Sequence, residues 1–248
     1  MVTGLDKFKQ YFADDTDKYV LIGGAACDTV FESNDAVFRA TKDLDMVLVV
    51  EALTPEFGKR FWQFIDDGGY KHQDMASGKP QFFRFTGPGD PEFPRMIELF
   101  ARTEFKLREQ NVLTPIHIDD NISSLSAILL NGDYYSALLK GRTVINGLSV
   151  LRPEYLILFK AKAYMDLKAK RDSGEMVHSS EYKKHKRDVL RIVVEMPVEK
   201  TNDLPPAVSR DITDFISSLE DDPFDETTLK NYGVTTEEIS DRLIAVFV

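Results

Sequence analysis

The feature that most constrains this chain is Asp43-Leu44-Asp45, set directly against the apolar run Met46–Val50. Such a run reads as a strand near the middle of a sheet, and its pattern predicts extended structure over Leu44–Val50. Side chains alternate along a strand, so Asp43 and Asp45 project from one face, one pleat apart. Leu44, Met46 and Leu48 then face the core. Two carboxylates that close repel each other, and beside an apolar strand they are costly unless a cation neutralises them. Hard divalent cations such as Mg²⁺ take oxygen ligands of this kind. The plainer reading puts both acids in a solvated loop ahead of the strand. It suits Asp43 better than Asp45, which has apolar neighbours on both sides.

Two other segments bear on the same chemistry. Val20-Leu21-Ile22-Gly23-Gly24-Ala25 is a strand that runs into two glycines and opens a helix. Glycine lets a phosphate approach the backbone closely, and the N–H groups at a helix start favour an anion. Taken alone, Gly-Gly after a strand is more often a tight turn. In Arg95-Met96-Ile97-Glu98-Leu99-Phe100, Glu98 is the one charge between Arg95 and Arg102 in a segment that otherwise reads as buried strand. A carboxylate there needs a partner, either a metal or an internal base such as Arg95 or Arg102.

Around these segments the chain reads as an α/β (α+β) protein, a mixed sheet flanked by helices with a helical C-terminal part. The expected order is a helix over Leu5–Phe12, a strand over Tyr19–Ile22 and a helix over Ala25–Glu32. After the acidic strand come a helix over Pro55–Ile65 and strands over Gln81–Thr86 and Arg95–Ala101. Ile116–Ile118 gives a weaker strand signal, and Ser123–Gly141 is ambiguous between helix and strand. Val144–Leu151 reads as extended. Helices then follow over Pro153–Arg171, Glu181–Glu195, Pro205–Leu219 and Thr236–Ala245. The expected division is a catalytic domain at 1–151 and a helical domain or extension at 152–248.

Composition excludes several classes. The 248 residues are 43% hydrophobic and 29% charged, an ordinary globular balance. No apolar run is long enough to cross a bilayer, and Met1–Lys9 lacks the order of a secretory signal. One cysteine, Cys27, rules out a disulfide framework and a Cys-rich zinc site, so the cytoplasm is the expected compartment. Cys27 reads as a small packed side chain, the four histidines lack ligand spacing, and Trp62 reads as helix core. The formal charge of −10 opposes non-specific nucleic-acid binding. Lys160–Lys170, Arg171 and Lys183–Arg187 form the one strong basic patch.

Read together, strand–Gly-Gly–helix, Asp-x-Asp entering a strand, and an isolated acid in a later strand resemble the nucleotidyltransferase superfamily of DNA polymerase β. The closer resemblance is to AbiEii-type and related bacterial nucleotidyltransferases, whose pattern is a hydrophobic strand, Gly-Gly or Gly-Ser, then Thr-x-Asp-hydrophobic-Asp. Gly23, Gly24, Thr41, Asp43 and Asp45 stand at those positions, and Glu98 takes the place of the third carboxylate. Downstream, Pro153-Glu154-Tyr155-Leu156 leads to Lys160, and Lys184 with Asp188 follows on a second helix, so the resemblance spans roughly residues 18 to 195. Glu replaces the commoner Asp at 98, and His185 stands where a second aspartate often follows the lysine.

The resemblance implies transfer of a nucleoside monophosphate from an NTP, with pyrophosphate leaving. It implies two Mg²⁺ ions bridged by Asp43 and Asp45, with Glu98 completing a metal site or acting as general base. Gly23 and Gly24 would hold phosphates, with Thr41 orienting the loop. Lys160, Lys184 and Asp188 would serve nucleotide binding. Internally, Lys160 can instead snorkel or pair with Asp188, and Lys184 with Asp188 can simply support a helix. The implied acceptor is a small molecule, a protein side chain or an RNA end. Because related families include toxin components, a protein partner in a toxin–antitoxin pair is a further implication. A second reading is a catalytically silent relative that binds nucleotide or protein, with Asp211–Asp225 as its contact surface. Whether Asp43, Asp45 and Glu98 converge discriminates the two.

Overall fold

The computed structural model describes residues 2–72, 82–101, 128 and 131–248. The chain divides into two compact units, Met1–Asp119 with Arg142–Leu151, and Asp120–Gly141 with Arg152–Val248. The second unit thus takes in a segment ahead of the 151/152 boundary expected from the sequence.

The first unit is built on a mixed sheet. Among the described residues it has seven strands: β1 (Tyr19–Ile22), β2 (Asp43–Leu48), β3 (Lys71–His72), β4 (Phe82–Thr86), β5 (Met96–Phe100), β6 (Arg142–Ile145) and β7 (Leu148–Leu151). Their order is β3-β4-β5-β2-β1-β7-β6. The pairs β1–β7 and β2–β5 are parallel and the others antiparallel. With β1 on one side and β5 on the other, β2 has no free edge, which is why its apolar residues are fully buried.

Helices α1 (Leu5–Phe12), α2 (Gly23–Glu32) and α3 (Pro55–Asp67) belong to this unit. Phe8 and Phe12, one turn apart on α1, meet Phe64 of α3 with ring centroids 5.7 and 5.3 Å away, and Phe8 lies edge-on to Tyr19 at 5.3 Å. Ring pairs of this geometry contribute about 0.5–1.5 kcal/mol each beyond the area they bury. Thr54 caps α3 by accepting from the Phe57 N–H, with Pro55 in the first turn.

The expectation of one extended segment over Val144–Leu151 is corrected. Asn146 and Gly147 have φ of 52° and 79°, and the chain reverses there between β6 and β7. Two successive positive φ values make the tight turn that Asn-Gly favours.

The regular elements of the second unit, among its described residues, are all helices: α4 (Gly132–Gly141), α5 (Pro153–Asp172), α6 (Ser179–Glu195), α7 (Pro206–Ser218), α8 (Glu226–Tyr232) and α9 (Thr236–Phe247). The end of the ambiguous stretch Ser123–Gly141 is therefore helix, while Ile116–Ile118 lies outside the described residues. Helices α5 and α6 run antiparallel: Lys160 meets Asp188 at one end, Tyr164 faces Tyr182 across 5.8 Å, and Arg171 donates to the Tyr182 hydroxyl at the other. Helix α8, absent from the sequence expectation, is one short stretch capped by Asp225 and ended by Gly233 at φ 64°. No helix among the described residues is long and apolar enough to cross a membrane.

Candidate functional site

Strand β1 ends at Ile22, and α2 starts at once with Gly23. Gly23 has φ of +63°, and a Cβ there would lie 2.0 Å from Asp45 Oδ2. A Cβ on Gly24 would lie 2.5 Å from Thr41 Oγ1. Both glycines are thus required by what sits on them: the Asp45 carboxylate on the first, the Thr41 side chain on the second. The register explains the approach, since Ile22 and Asp45 are partners across β1 and β2. The cap residue of α2 is Ile22, whose side chain makes no capping hydrogen bond, and the leading N–H groups carry the partial positive charge of a helix N-terminus beside Asp45 and Thr41.

Asp43 and Asp45 both lie within β2, half-buried, with Leu44 and Met46 fully buried between and after them. The solvated-loop reading is overturned for both acids, because β5 pairs with β2 from Asp43 onward. In that parallel register Asp45 is partnered with Glu98, and in the antiparallel register of β4 with β5 Glu98 is partnered with Arg84. Asp45, Glu98 and Arg84 therefore form a row across three adjacent strands.

Glu98 is only 9% exposed. Burial, the charge of Asp45 and a hydrogen bond shared with Asp45 push its carboxyl up to about 8, with Asp43 adding to the rise and Arg84 opposing it. Arg84 donates to Glu98 Oε1 through both Nε at 3.0 Å and Nη2 at 2.7 Å. The internal base that the sequence required for Glu98 is thus Arg84, not Arg95 or Arg102. Its signal was available in the strand pairing alone: fourteen residues separate the two, and only the β4–β5 register brings them face to face.

The acids of β2 offer the hard oxygen donors of a divalent cation, and the Glu98 carboxyl beside them is raised first by burial and then by the charge of Asp45. Asp43 and Asp45 fit that role. Among the described residues, however, no group of three or more acid, His or Cys side chains is arranged to hold a metal ion. Glu98 meets Asp45 on one side and gives its Oε1 to Arg84 on the other.

The remaining residues given a nucleotide role lie in the second unit. Lys160 and Asp188 are an internal ion pair, 2.7 Å apart and 4% and 1% exposed. The pairing reading of Lys160 is the one observed, and it explains how an ammonium sits on the apolar face of α5. Lys184 is exposed on α6. Its expected partner Asp188, one turn on, is buried and turned to α5.

No family model matches the chain. No curated protein matches it either. Solved structures similar to it include an antigenic nucleotidyltransferase-like protein from Paracoccidioides brasiliensis, 14% identical with a TM-score of 0.48 over 98% of this chain and 94% of that one. Another is JHP933 from Helicobacter pylori, 14% identical with a TM-score of 0.38 over 97% and 92% of the two chains.

Proposed function

We propose that this protein transfers a nucleoside monophosphate from an NTP, with the chemistry centred on Asp43 and Asp45. The observation that carries the reading is the closure of the Asp45 carboxylate and Thr41 onto the Gly23-Gly24 start of α2. One place then offers both anion-attracting N–H groups and cation-attracting carboxylates, the two demands of a metal-bound triphosphate.

In this reading Asp43 and Asp45 hold the divalent cation, which when bound neutralises triphosphate charge and lowers the pKa of an attacking hydroxyl. The backbone at Gly23 and Gly24 binds phosphate oxygens, and Thr41 keeps the loop ahead of β2 against Gly24. Glu98, sharing a hydrogen bond with Asp45 and fixed by Arg84, orients Asp45 and is placed to exchange a proton. The AbiEii-type placement, the choice of acceptor and a partner in a toxin–antitoxin pair belong to this proposal at its finest level. The motif around Gly23, Thr41 and Asp45 supports the first of these, and the other two rest on the resemblance alone.

The test is isothermal titration with ATP, GTP, CTP and UTP, with and without Mg²⁺, on wild type and an Asp43→Asn/Asp45→Asn variant. Metal-dependent binding of an NTP that disappears in the variant is the expected result. Absence of binding to every NTP would overturn it. One observation favours a second reading, a catalytically silent nucleotide-binding regulator: Arg84 already occupies the acid that would complete the site. NTP binding without pyrophosphate release, over a panel of hydroxyl acceptors, would select that reading.

A further inference from the structure

The basic patch of the sequence is not used by the chemistry assigned to β2, yet it converges on a feature of its own. Between residues 160 and 187 the chain has nine Lys or Arg against four Asp or Glu, within a protein of net charge −10. On α6, Lys183, Lys186 and Arg187 stand at positions i, i+3 and i+4, and on α5 Tyr164 and Lys168 stand at i and i+4. Those spacings give each helix one face. The two faces, with Tyr182, line a cleft of about 770 Å³ inside the helical unit, closed by the segment that leads into α8. Its volume falls within the roughly 300–1,000 Å³ of small-molecule sites.

The cleft has an inner and an outer part. At the inner end Lys186 is buried between the rings of Tyr164 and Phe224, 5.1 and 5.5 Å from their centroids. It donates to the Asp222 and Pro223 carbonyls and pairs with the Asp222 carboxylate at 3.0 Å. The same carboxylate accepts from the Tyr164 hydroxyl and from Lys168 at 2.8 Å. One acid thus answers two lysines. At the outer end Lys183 and Arg187 are exposed, and neither forms an ion pair among the described residues. Asp225 lies within electrostatic reach of both, but its carboxylate already accepts from the N–H and hydroxyl of Thr228 as the cap of α8. With exposed Asp221 included, four cations line the cleft against three acids.

We propose that this cleft binds a phosphorylated small molecule of about mononucleotide size, its phosphates on Lys183 and Arg187 and its apolar part against the aromatic floor. Arg187 supplies a planar fork of donors suited to a phosphate, and Lys183 a mobile point charge one turn away. Lys183 and Arg187 supply the positive charge a phosphate needs without a bridging cation, so binding here is independent of metal. This inference goes beyond the transferase reading and does not depend on it.

The experiment is isothermal titration in EDTA with ADP, inorganic pyrophosphate and adenosine. It uses the full chain, a Lys183→Glu/Arg187→Glu variant and the Asp43→Asn/Asp45→Asn variant. Both substitutions on α6 are at exposed positions, and circular dichroism checks that the helices persist. The expected result is binding of ADP without metal, weakened at least about tenfold by the α6 variant and unchanged by the β2 variant. Adenosine is expected not to bind. Tighter binding of ADP than of pyrophosphate supports the placement of the base on the aromatic floor, and equal binding would overturn that placement. No binding of any phosphate ligand in EDTA, or equal affinity in wild type and the α6 variant, would overturn it.

Discussion

At the scale of single residues, Gly23 is held by two independent constraints, a left-handed backbone and the carboxylate resting where a side chain would begin. Gly23→Ala is expected to cost about 1–3 kcal/mol of stability in urea unfolding and to abolish NTP binding, because Asp45 must move. Glu98 carries the sharpest pH expectation. Its folded value of about 8 against an ordinary 4.5 means that the folded chain keeps a proton which the unfolded chain has released. Stability therefore falls as pH rises through that interval in metal-free buffer. Melting curves taken across it are expected to show this fall in wild type and a flatter profile in Glu98→Gln; equal slopes would assign the fall to other groups. The positions of Asp43 and Asp45 on one face were legible in the sequence, since alternation along a strand is local. The partner of Glu98 was not, because Arg84 reaches it through pairing between strands.

At the scale of elements, the α5–α6 pair rests on a buried charge as well as on apolar packing. Removing one partner strands the other, so Asp188→Ala is expected to destabilise the protein by about 3–5 kcal/mol. Lys160→Met/Asp188→Leu is expected to lie far closer to wild type, since no charge is left buried. Equilibrium denaturation of the three proteins checks both. The same double variant isolates function from structure: if it folds and still binds NTP, the pair has no part in nucleotide recognition. The β6–β7 hairpin makes a second case. Asn146-Gly147 is a strong local turn signal, but the apolar and β-branched residues on either side favour reading one continuous strand. Gly147→Ala, at φ 79° and with a Cβ 3.0 Å from Lys9 Cε, is expected to cost about 1–2 kcal/mol by thermal denaturation.

At the scale of the whole molecule, the charge of −10 and the local basic cleft set different expectations for large and small anions. Long-range repulsion should keep duplex DNA away at physiological salt, so no retarded band is expected in a mobility-shift assay with a random-sequence duplex. A shift that weakens steeply with added salt would show that the basic patch outweighs the acidic surface. The amino-acid sequence by itself determined most element types, though not α8 or the β6–β7 turn, together with the shared face of Asp43 and Asp45, the glycine pair at a helix start and the basic residues of α5 and α6. All of these follow from local periodicity, in which a residue's neighbours along the chain set its direction. Tertiary structure alone decided that Asp45 closes on Gly23, that Arg84 claims Glu98, that Asp188 pairs with Lys160 rather than Lys184, and that two basic stripes form one cleft. Each of those contacts joins residues on different elements, and their distances are set by strand register and helix packing, which no local pattern encodes.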